Sequence, residues 1–273
     1  MTATTVNATE RRDSPDWYDL LEEAVREPGE LSAAYRYFHQ YSLANRWLAS
    51  TQLRARGLPL TPINTFKGWL GANRPVQKGQ KASISLIMPV PIRTKKKDDT
   101  GEEREEKVFN RFILRSYWFH MGQTDGEAYE PESQADKDWN VTAALDFLEI
   151  KERPFEFTSV SDMRLGWAGG KEIAVSPLEA HPTYGRIREM ARVLLGHTAD
   201  VPSKGVPHEA ELRDMEAETT AYLCAATLGI PGLEESRLRL QTALAVDSKL
   251  RIPDRSAHRA FSAADKLINA GYC

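Results

Sequence analysis

The segment REMARVLLGH, from Arg188 to His197, places a glutamate between two arginines on a stretch with helical periodicity. A zinc-binding peptidase helix carries two histidines four residues apart, with a glutamate that acts on a metal-bound water. Here Arg188 and Arg192 stand at the two histidine positions around Glu189. A guanidinium has no lone pair and keeps its charge at any relevant pH, so two of them repel a dication. We therefore expect no catalytic residue here, and Glu189 is the remnant of the motif.

The same three residues can form an ion-pair network, because a guanidinium can bind a carboxylate through two parallel hydrogen bonds. We interpret the segment as a metal site replaced by such an Arg–Glu network. Two alternatives stay open. The arginines could be surface charges on an ordinary amphipathic helix, or they could contact DNA phosphate or a partner protein.

His197 at the end of this segment and His208 beyond it do not restore a conventional metal site. His197 lies eight residues past Glu189, which is more than two helical turns of about 5.4 Å each. His208 could approach, but one histidine with some carboxylates makes a weak zinc site. We expect no cofactor, and zinc remains the alternative if the ligand set is unusual.

The net charge of −3 conceals an uneven distribution of charge along the chain. Residues 31–97 contain twelve Lys and Arg and no Asp or Glu, so this stretch carries +12 and the rest carries −15 (−3 − 12). Such asymmetry predicts that the first half binds a polyanion. A solvated basic face is the plainer alternative.

Cations alternate with aromatic residues in this basic stretch. Single-stranded nucleic acid is bound by cations that follow its phosphates and by aromatic rings on which its bases stack. The turn RPVQKGQK, residues 74–81, is the best candidate, because its glycine lets the backbone approach a phosphate. Aromatic residues at helical spacing are more often part of a core. The candidate DNA-binding residues are Arg36, Arg46, Trp47, Arg54, Lys67, Trp69, Arg74, Lys78 and Lys81.

The composition is that of an ordinary globular protein, with 41% hydrophobic residues. No apolar run approaches the ~18–20 residues that cross a bilayer, and the first residues lack the apolar segment of a secretory signal. The two cysteines, Cys224 and Cys273, indicate no disulfide framework, which fits a reducing compartment. We expect a cytoplasmic protein without membrane contact.

Periodicity and turn residues predict an α+β fold in two domains. A disordered N-terminus (1–15) precedes a small domain (16–125), in which a short helix and one long helix lead into a β-hairpin with a charged tip. An acidic linker (126–140) joins it to the second domain (141–273). There a helix is followed by two strands, FEFTSVSDM and KEIAVSPL, and then by four more helices.

The first half resembles the N-terminal domain of the ArdC-type antirestriction proteins. The pattern is YS-x-x-N with a later Gln, then a Trp, R-x-V-x-K-G-x-K and a strand leading to a Pro, and finally a strand that ends in QT. This resemblance covers residues 31–125 and implies a domain that binds single-stranded DNA. The matching residues are Tyr41, Ser42, Asn45, Gln52, Trp69, Arg74, Val76, Lys78, Gly79, Lys81, Gln123 and Thr124.

Residues 141–271 resemble the zincin-like C-terminal domain of the same family. KEIAVSPL resembles the edge strand beside a bound peptide, IREMARVLLGH the metal-binding helix, and DMEAETTAYLCAATLGI the helix that supplies a glutamate ligand. The resemblance implies that Glu216 or Glu218 is the counter-charge of the arginines. The degenerate metal positions are then Arg188, Arg192 and one of those two glutamates.

The resemblance implies an antirestriction protein of a plasmid or phage, which are mobile genetic elements. Such a protein would shield incoming single-stranded DNA, while its zincin-like domain would be a pseudoenzyme. A restriction endonuclease or another DNA-processing protein would be a further partner. Two alternatives stay open: a metallopeptidase related to repressor-cleaving regulators with a non-standard metal site, and a regulator that binds duplex DNA.

Overall fold

The computed structural model describes residues 16–97, 103–127, 129, 138–199, 205–244 and 252–272. The predicted disordered N-terminus (1–15), the tip of the predicted hairpin (98–102) and most of the predicted linker (130–137) lie outside these residues.

Four helices form in the first half, and their ends follow local signals. The carboxylate of Asp16 accepts a hydrogen bond from the backbone amide of Asp19 and so caps the first helix. Pro28 starts the second helix, where its missing N–H costs nothing. The bounds are α1 Trp17–Arg26, α2 Pro28–Phe38, α3 Leu43–Arg54 and α4 Phe66–Gly71.

The long helix predicted for this region is wrong, because α2 and α3 are separated by a break. Arg46 reaches back across it and donates from Nε to the carbonyl of Tyr41 (2.6 Å) and from Nη2 to that of His39 (2.9 Å). The amide of Leu43 donates to the carboxylate of Asp265 at 2.9 Å. These bonds satisfy backbone groups that the break leaves without helical partners.

A three-stranded antiparallel sheet with the order β1-β3-β2 completes the first half. The predicted hairpin is confirmed, and its two strands extend further towards the tip than the sequence indicated. Ser85 lies opposite Ser116 and Ile84 opposite Trp118, so Tyr117 is the extra residue of a β-bulge. The strands are β1 Ile63–Thr65, β2 Ile84–Lys97 and β3 Glu103–His120.

Helix α3 covers the outer edge of β2 through two side chains that imitate a neighbouring strand. The amide of Asn45 accepts from the backbone N–H of Ile87 (2.7 Å) and donates to its carbonyl (3.0 Å). The amide of Gln52 makes the same pair of bonds with Ser85, at 2.9 and 2.8 Å. Both residues therefore protect backbone groups of a sheet edge that would otherwise remain unpaired.

The described residues of the second half form a small mixed sheet and five helices. Its sheet has the order β4-β6-β5, and β4 is parallel while β5 is antiparallel to the central strand. The elements are α5 Val141–Phe147, β4 Lys151–Glu152, β5 Gly166–Gly169, β6 Glu172–Val175, α6 Pro182–Leu194, α7 Ala210–Leu228, α8 Leu233–Leu244 and α9 Asp254–Ala270.

Two expectations for this sheet are wrong. The segment FEFTSVSDM forms a loop, because the carboxylate of Asp162 accepts from the backbone amides of Thr158 (3.0 Å) and Arg164 (3.1 Å) and folds the chain back. The strand in KEIAVSPL is β6, which is central in the described sheet and so is not an edge strand.

The two halves share one hydrophobic core cluster. It includes Trp17, Leu21 and Trp47 from the first half together with Leu223 and Phe261 from the second half. The phenol of Tyr222 donates to the carbonyl of Ala24 at 3.2 Å. The α+β class is confirmed. None of the helices in the described ranges combines the length and the apolar character needed to span a membrane.

Candidate functional site

A cleft of about 360 Å³ opens in the second half, where α6 and α7 meet the loop before β5. Its charged lining consists of four arginines and three acidic residues, and between them lie Leu165, Gly166 and Met215. The charged residues are Arg164, Arg188, Glu189, Arg192, Asp214, Glu218 and Arg239.

The centre of the cleft is Glu189, whose side chain is buried between its two arginine neighbours. Its Oε1 lies 3.2 Å from Nε of Arg188, and its Oε2 lies 3.2 Å from Nε of Arg192. Both carboxylate oxygens are therefore engaged by guanidinium groups. The structure thus contains the Arg188–Glu189–Arg192 contacts that the sequence predicted.

Burial and charge act against each other in this cluster. Burial raises the pKa of Glu189, and Arg192 and Arg188 lower it again in part. Burial alone would lower the pKa of Arg188, but Glu189 and Glu179 raise it above its usual value. The guanidinium of Arg188 therefore stays charged in its partly buried position.

The outer partners of the two arginines differ from the predicted counter-charges. Nη2 of Arg188 lies 3.3 Å from Oε2 of Glu179, and Nη1 of Arg192 lies 2.7 Å from Oδ1 of Asp214. Within the described residues neither Glu216 nor Glu218 forms an ion pair with either arginine, although the charge of Glu218 contributes to raising the pKa of Arg188. Periodicity could not show that Glu179 and Asp214 would approach α6 from other elements.

The two glutamates of α7 lie in different surroundings. The carboxylate of Glu218 lines the cleft, where it accepts from the hydroxyl of Tyr184 at 3.0 Å and pairs with Arg239. That of Glu216 is buried elsewhere, 2.8 Å from Nε2 of His197 and 3.1 Å from Nε of Arg259. Of the two candidates, Glu218 is the one that shares a cleft with Glu189.

The donor atoms of the cleft do not fit a metal ion. Guanidiniums stand at both histidine positions, and a guanidinium offers no lone pair. His197 faces Glu216, and His208 is exposed. Across the described ranges, no group of three or more His, Cys, Asp or Glu side chains is placed to hold a metal.

Gly166 in β5 lets the backbone pass directly over Glu189. A Cβ atom at this position would lie 2.6 Å from Oε1 of Glu189, closer than real Cβ contacts allow. A side chain here would therefore displace Glu189 from its arginines. The sequence analysis did not identify this residue, and the strand GWAG was its only local signal.

The candidate DNA-binding turn, residues 74–81, is held in place by Gln123, which lies in the short 3-10 turn Met121–Gln123 after β3 and not in the strand as predicted. Its amide donates to the carbonyl of Lys81 (2.8 Å) and to Oε1 of Gln80 (3.0 Å), and it accepts from the hydroxyl of Ser83 (2.6 Å). Gly79 adopts φ +88°, a backbone conformation that favours glycine. The turn is thus a fixed element, and Gln123 positions it.

Three of the candidate cations are exposed, namely Lys67, Lys78 and Lys81. Among the residues that the structure describes, no carboxylate forms an ion pair with any of these three. Lys78 and Lys81 flank Gly79 on the fixed turn, and Lys67 lies on α4. These lysines can approach a phosphate without first breaking an ion pair.

Most of the remaining candidates are engaged within the protein. Trp47 and Trp69 are fully buried, so neither ring presents a face to a base in this conformation. Arg46 is buried at the α2–α3 break, and Arg74 is buried with Nε 3.0 Å from the hydroxyl of Thr124. Two further candidates are Arg54, which pairs with Glu27 and Glu30, and Arg36 of α2, whose side chain lies outside the described part of the structure.

Fold and site together define the class of the molecule. It is an α+β protein with exposed lysines on a fixed turn of its first half, and with an Arg–Glu cluster at the spacing of a metal-binding motif in its second half. Neither a known family model nor a curated protein matches the sequence.

Two solved structures match the fold. The crystal structure of the antirestriction protein ArdC from plasmid R388 in its metal-free form has a TM-score of 0.50 and 16% identity, and the match covers 93% of this chain and 94% of that chain. The Mn(II)-bound structure of ArdC has a TM-score of 0.48 and 15% identity, covering 93% and 97%. The resemblance to ArdC is therefore confirmed for the fold.

Proposed function

We propose that the protein binds single-stranded DNA as an antirestriction-type protein, and that its metallopeptidase-like half does not hydrolyse peptides. The proposal assigns DNA binding to residues 16–125 and the Arg–Glu cleft to residues 141–273. The fold of ArdC, which is named as an antirestriction protein, supports the general class. The function would be to protect incoming plasmid or phage DNA in the cytoplasm, with a restriction endonuclease or another DNA-processing protein as a further partner.

The observation that carries DNA binding is the pair of exposed lysines on the fixed turn, neither of which pairs with a carboxylate in the part of the chain that the structure describes. Lys78 and Lys81 are exposed. The side-chain amide of Gln123 donates to the backbone carbonyl of Lys81 and so fixes the turn. Each phosphate that a lysine neutralises releases a counterion and adds a salt-dependent contribution to affinity. Since the turn is already ordered, binding orders little additional backbone.

The observation that supports a non-hydrolytic second half is the state of Glu189. Each of its oxygens lies 3.2 Å from an arginine nitrogen, and guanidiniums stand at both positions from which a ligand would hold a reactive water beside it. A general base needs such a water within hydrogen-bond reach. We therefore assign Glu189 a structural role.

A competition experiment between DNA forms tests the proposal. A labelled oligonucleotide is displaced with unlabelled single strand or duplex at fixed salt concentration, and we expect the single strand to compete more strongly. The double variant Lys78→Ala/Lys81→Ala should bind the single strand more weakly than the wild type. The matched control is Lys151→Ala/Lys266→Ala, which removes two exposed lysines from the second half and should bind normally.

Stronger competition by the duplex would favour a duplex-binding regulator instead. Equal losses of affinity in the two double variants would show that the turn has no special role.

A further inference from the structure

Strand β3 presents cations and an aromatic ring that the charge pattern of residues 31–97 did not include. Arg111 and Arg115 are exposed, and the side chain of Tyr117 is 53% exposed. Within the described ranges, neither arginine forms an ion pair with a carboxylate. An exposed tyrosine near arginines that pair with no carboxylate of the described residues offers both the stacking face and the cations that single-stranded nucleic acid needs.

The geometry of the strand places the two arginines on one face and Tyr117 at the bulge that follows them. Alternation along β3 puts Arg111 and Arg115 on the same face, and four residues at ~3.4 Å each separate them by about 14 Å. The bulge at Tyr117 interrupts the alternation, and bulges commonly redirect a side chain. The ring of Tyr117 lies 6.2 Å from that of Trp118, which is nearly buried and gives it a rigid neighbour.

The end of β3 leads to the residue that holds the lysine turn, which is the turn of residues 74–81. After His120, β3 runs into the short turn Met121–Gln123, where Gln123 holds the carbonyl of Lys81. Along the chain, Tyr117 therefore lies between the two arginines and Gln123, whose side chain contacts the turn of residues 74–81. A strand of nucleic acid that follows β3 would meet cations at both ends of this path.

We propose that Tyr117 stacks on a base of single-stranded DNA, while Arg111 and Arg115 bind neighbouring phosphates. This inference rests on the proposed function and extends its interface from the lysine turn along β3. A single strand is the occupant that fits, because its bases expose their faces whereas those of a duplex are stacked on each other. The unpaired arginines supply the complementary charge.

The test compares Tyr117→Ala and Tyr117→Phe in binding to an oligothymidylate and to a strand of the same length with abasic sites. Loss of one stacked base is worth ~1–3 kcal/mol, which corresponds to a loss of affinity of roughly 5- to 150-fold. We expect that loss for Tyr117→Ala on the oligothymidylate. Tyr117→Phe should bind within about twofold of the wild type, because it keeps the ring.

On the abasic strand, wild type and Tyr117→Ala should bind equally, since no base remains to stack. The control is Phe157→Ala, which removes an aromatic ring of similar exposure (50%) from the second half and should have no effect. Arg111→Ala/Arg115→Ala should reduce the salt dependence of binding, whereas Lys151→Ala/Lys266→Ala should not.

Several outcomes would overturn the inference. Wild-type affinity of Tyr117→Ala for the oligothymidylate, or an equal loss on the abasic strand, would show that Tyr117 does not stack on a base. If Lys78→Ala/Lys81→Ala still weakens binding in that case, the proposed function stands and only the stacking role of Tyr117 fails. If the wild type binds no single strand, both fail together.

Discussion

The lysine turn (residues 74–81) and the Arg–Glu cleft around Glu189 differ in whether carboxylates neutralise their positive charges. In the turn, Lys78 and Lys81 are exposed and pair with no carboxylate of the described residues. In the cleft, every arginine has a carboxylate partner: Arg164 with Asp162, Arg188 with Glu179 and Glu189, Arg192 with Glu189 and Asp214, and Arg239 with Glu218.

This difference indicates that positive side chains serve to bind a ligand in one region and to stabilise the fold in the other. A cation without a partner can take up a phosphate with little cost, whereas a paired guanidinium must first leave its carboxylate. A count of Lys and Arg treats the two regions alike. The contacts indicate that the first can bind a polyanion and that the second holds its own elements together.

The largest expected effect comes from returning the cleft to the spacing of a metal motif. Arg188→His/Arg192→His places two imidazoles around Glu189, with Glu218 in the same cleft. Three such ligands can hold zinc, and apparent binding energies for structural zinc reach ~10–16 kcal/mol. We expect stoichiometric zinc in the purified variant by elemental analysis after dialysis, and little in the wild type.

The control for this change is Arg188→Gln/Arg192→Gln, which removes both charges without adding strong ligands and should retain no zinc. Adding Arg239→Ala to the histidine variant should strengthen retention, because it releases Glu218 from its ion pair. Equal zinc content in wild type and histidine variant would show that the arginines do not exclude a metal.

The next effect concerns stability. Glu189→Ala leaves Arg188 partly buried without its central partner, and removing one member of a buried pair costs ~3–5 kcal/mol. Because Glu179 and Asp214 remain, we expect the lower end, about 3 kcal/mol, in the free energy of unfolding by urea denaturation. Glu152→Ala, which breaks the more exposed pair with Arg186, should cost ~0–1 kcal/mol. Similar losses in both variants would contradict a structural role for Glu189.

Local patterns in the sequence were sufficient to predict many helices and strands and the ion pairs at the centre of the cleft. The apolar periodicity of α1 and α9 is a property of each helix by itself, and so is the end of α7 at Gly229. The sequence alone therefore reveals these features. The pairing of Glu189 with Arg188 and Arg192 is local for the same reason, because neighbours one and three residues away on a helix lie close together.

Contacts between distant residues account for what the sequence did not show. The break before α3 depends on Asp265 of the last helix, and the outer partner of Arg192 is Asp214 of α7. Trp47 lies in an aromatic, cation-rich pattern and is nevertheless buried, because α3 packs against the rest of the core. Tyr117 is exposed through a bulge whose register depends on the pairing with β2.

The salt dependence of single-strand binding tests the difference between the two charged regions most directly. The logarithm of the affinity falls with the logarithm of salt concentration by ~0.7 per phosphate neutralised on a single strand. For Lys78→Ala/Lys81→Ala we predict a slope smaller by about 1.4 (2 × ~0.7) than that of the wild type. For Arg188→Gln/Arg192→Gln we predict the wild-type slope. Equal reductions in both variants, or a reduction in the cleft variant alone, would contradict the account.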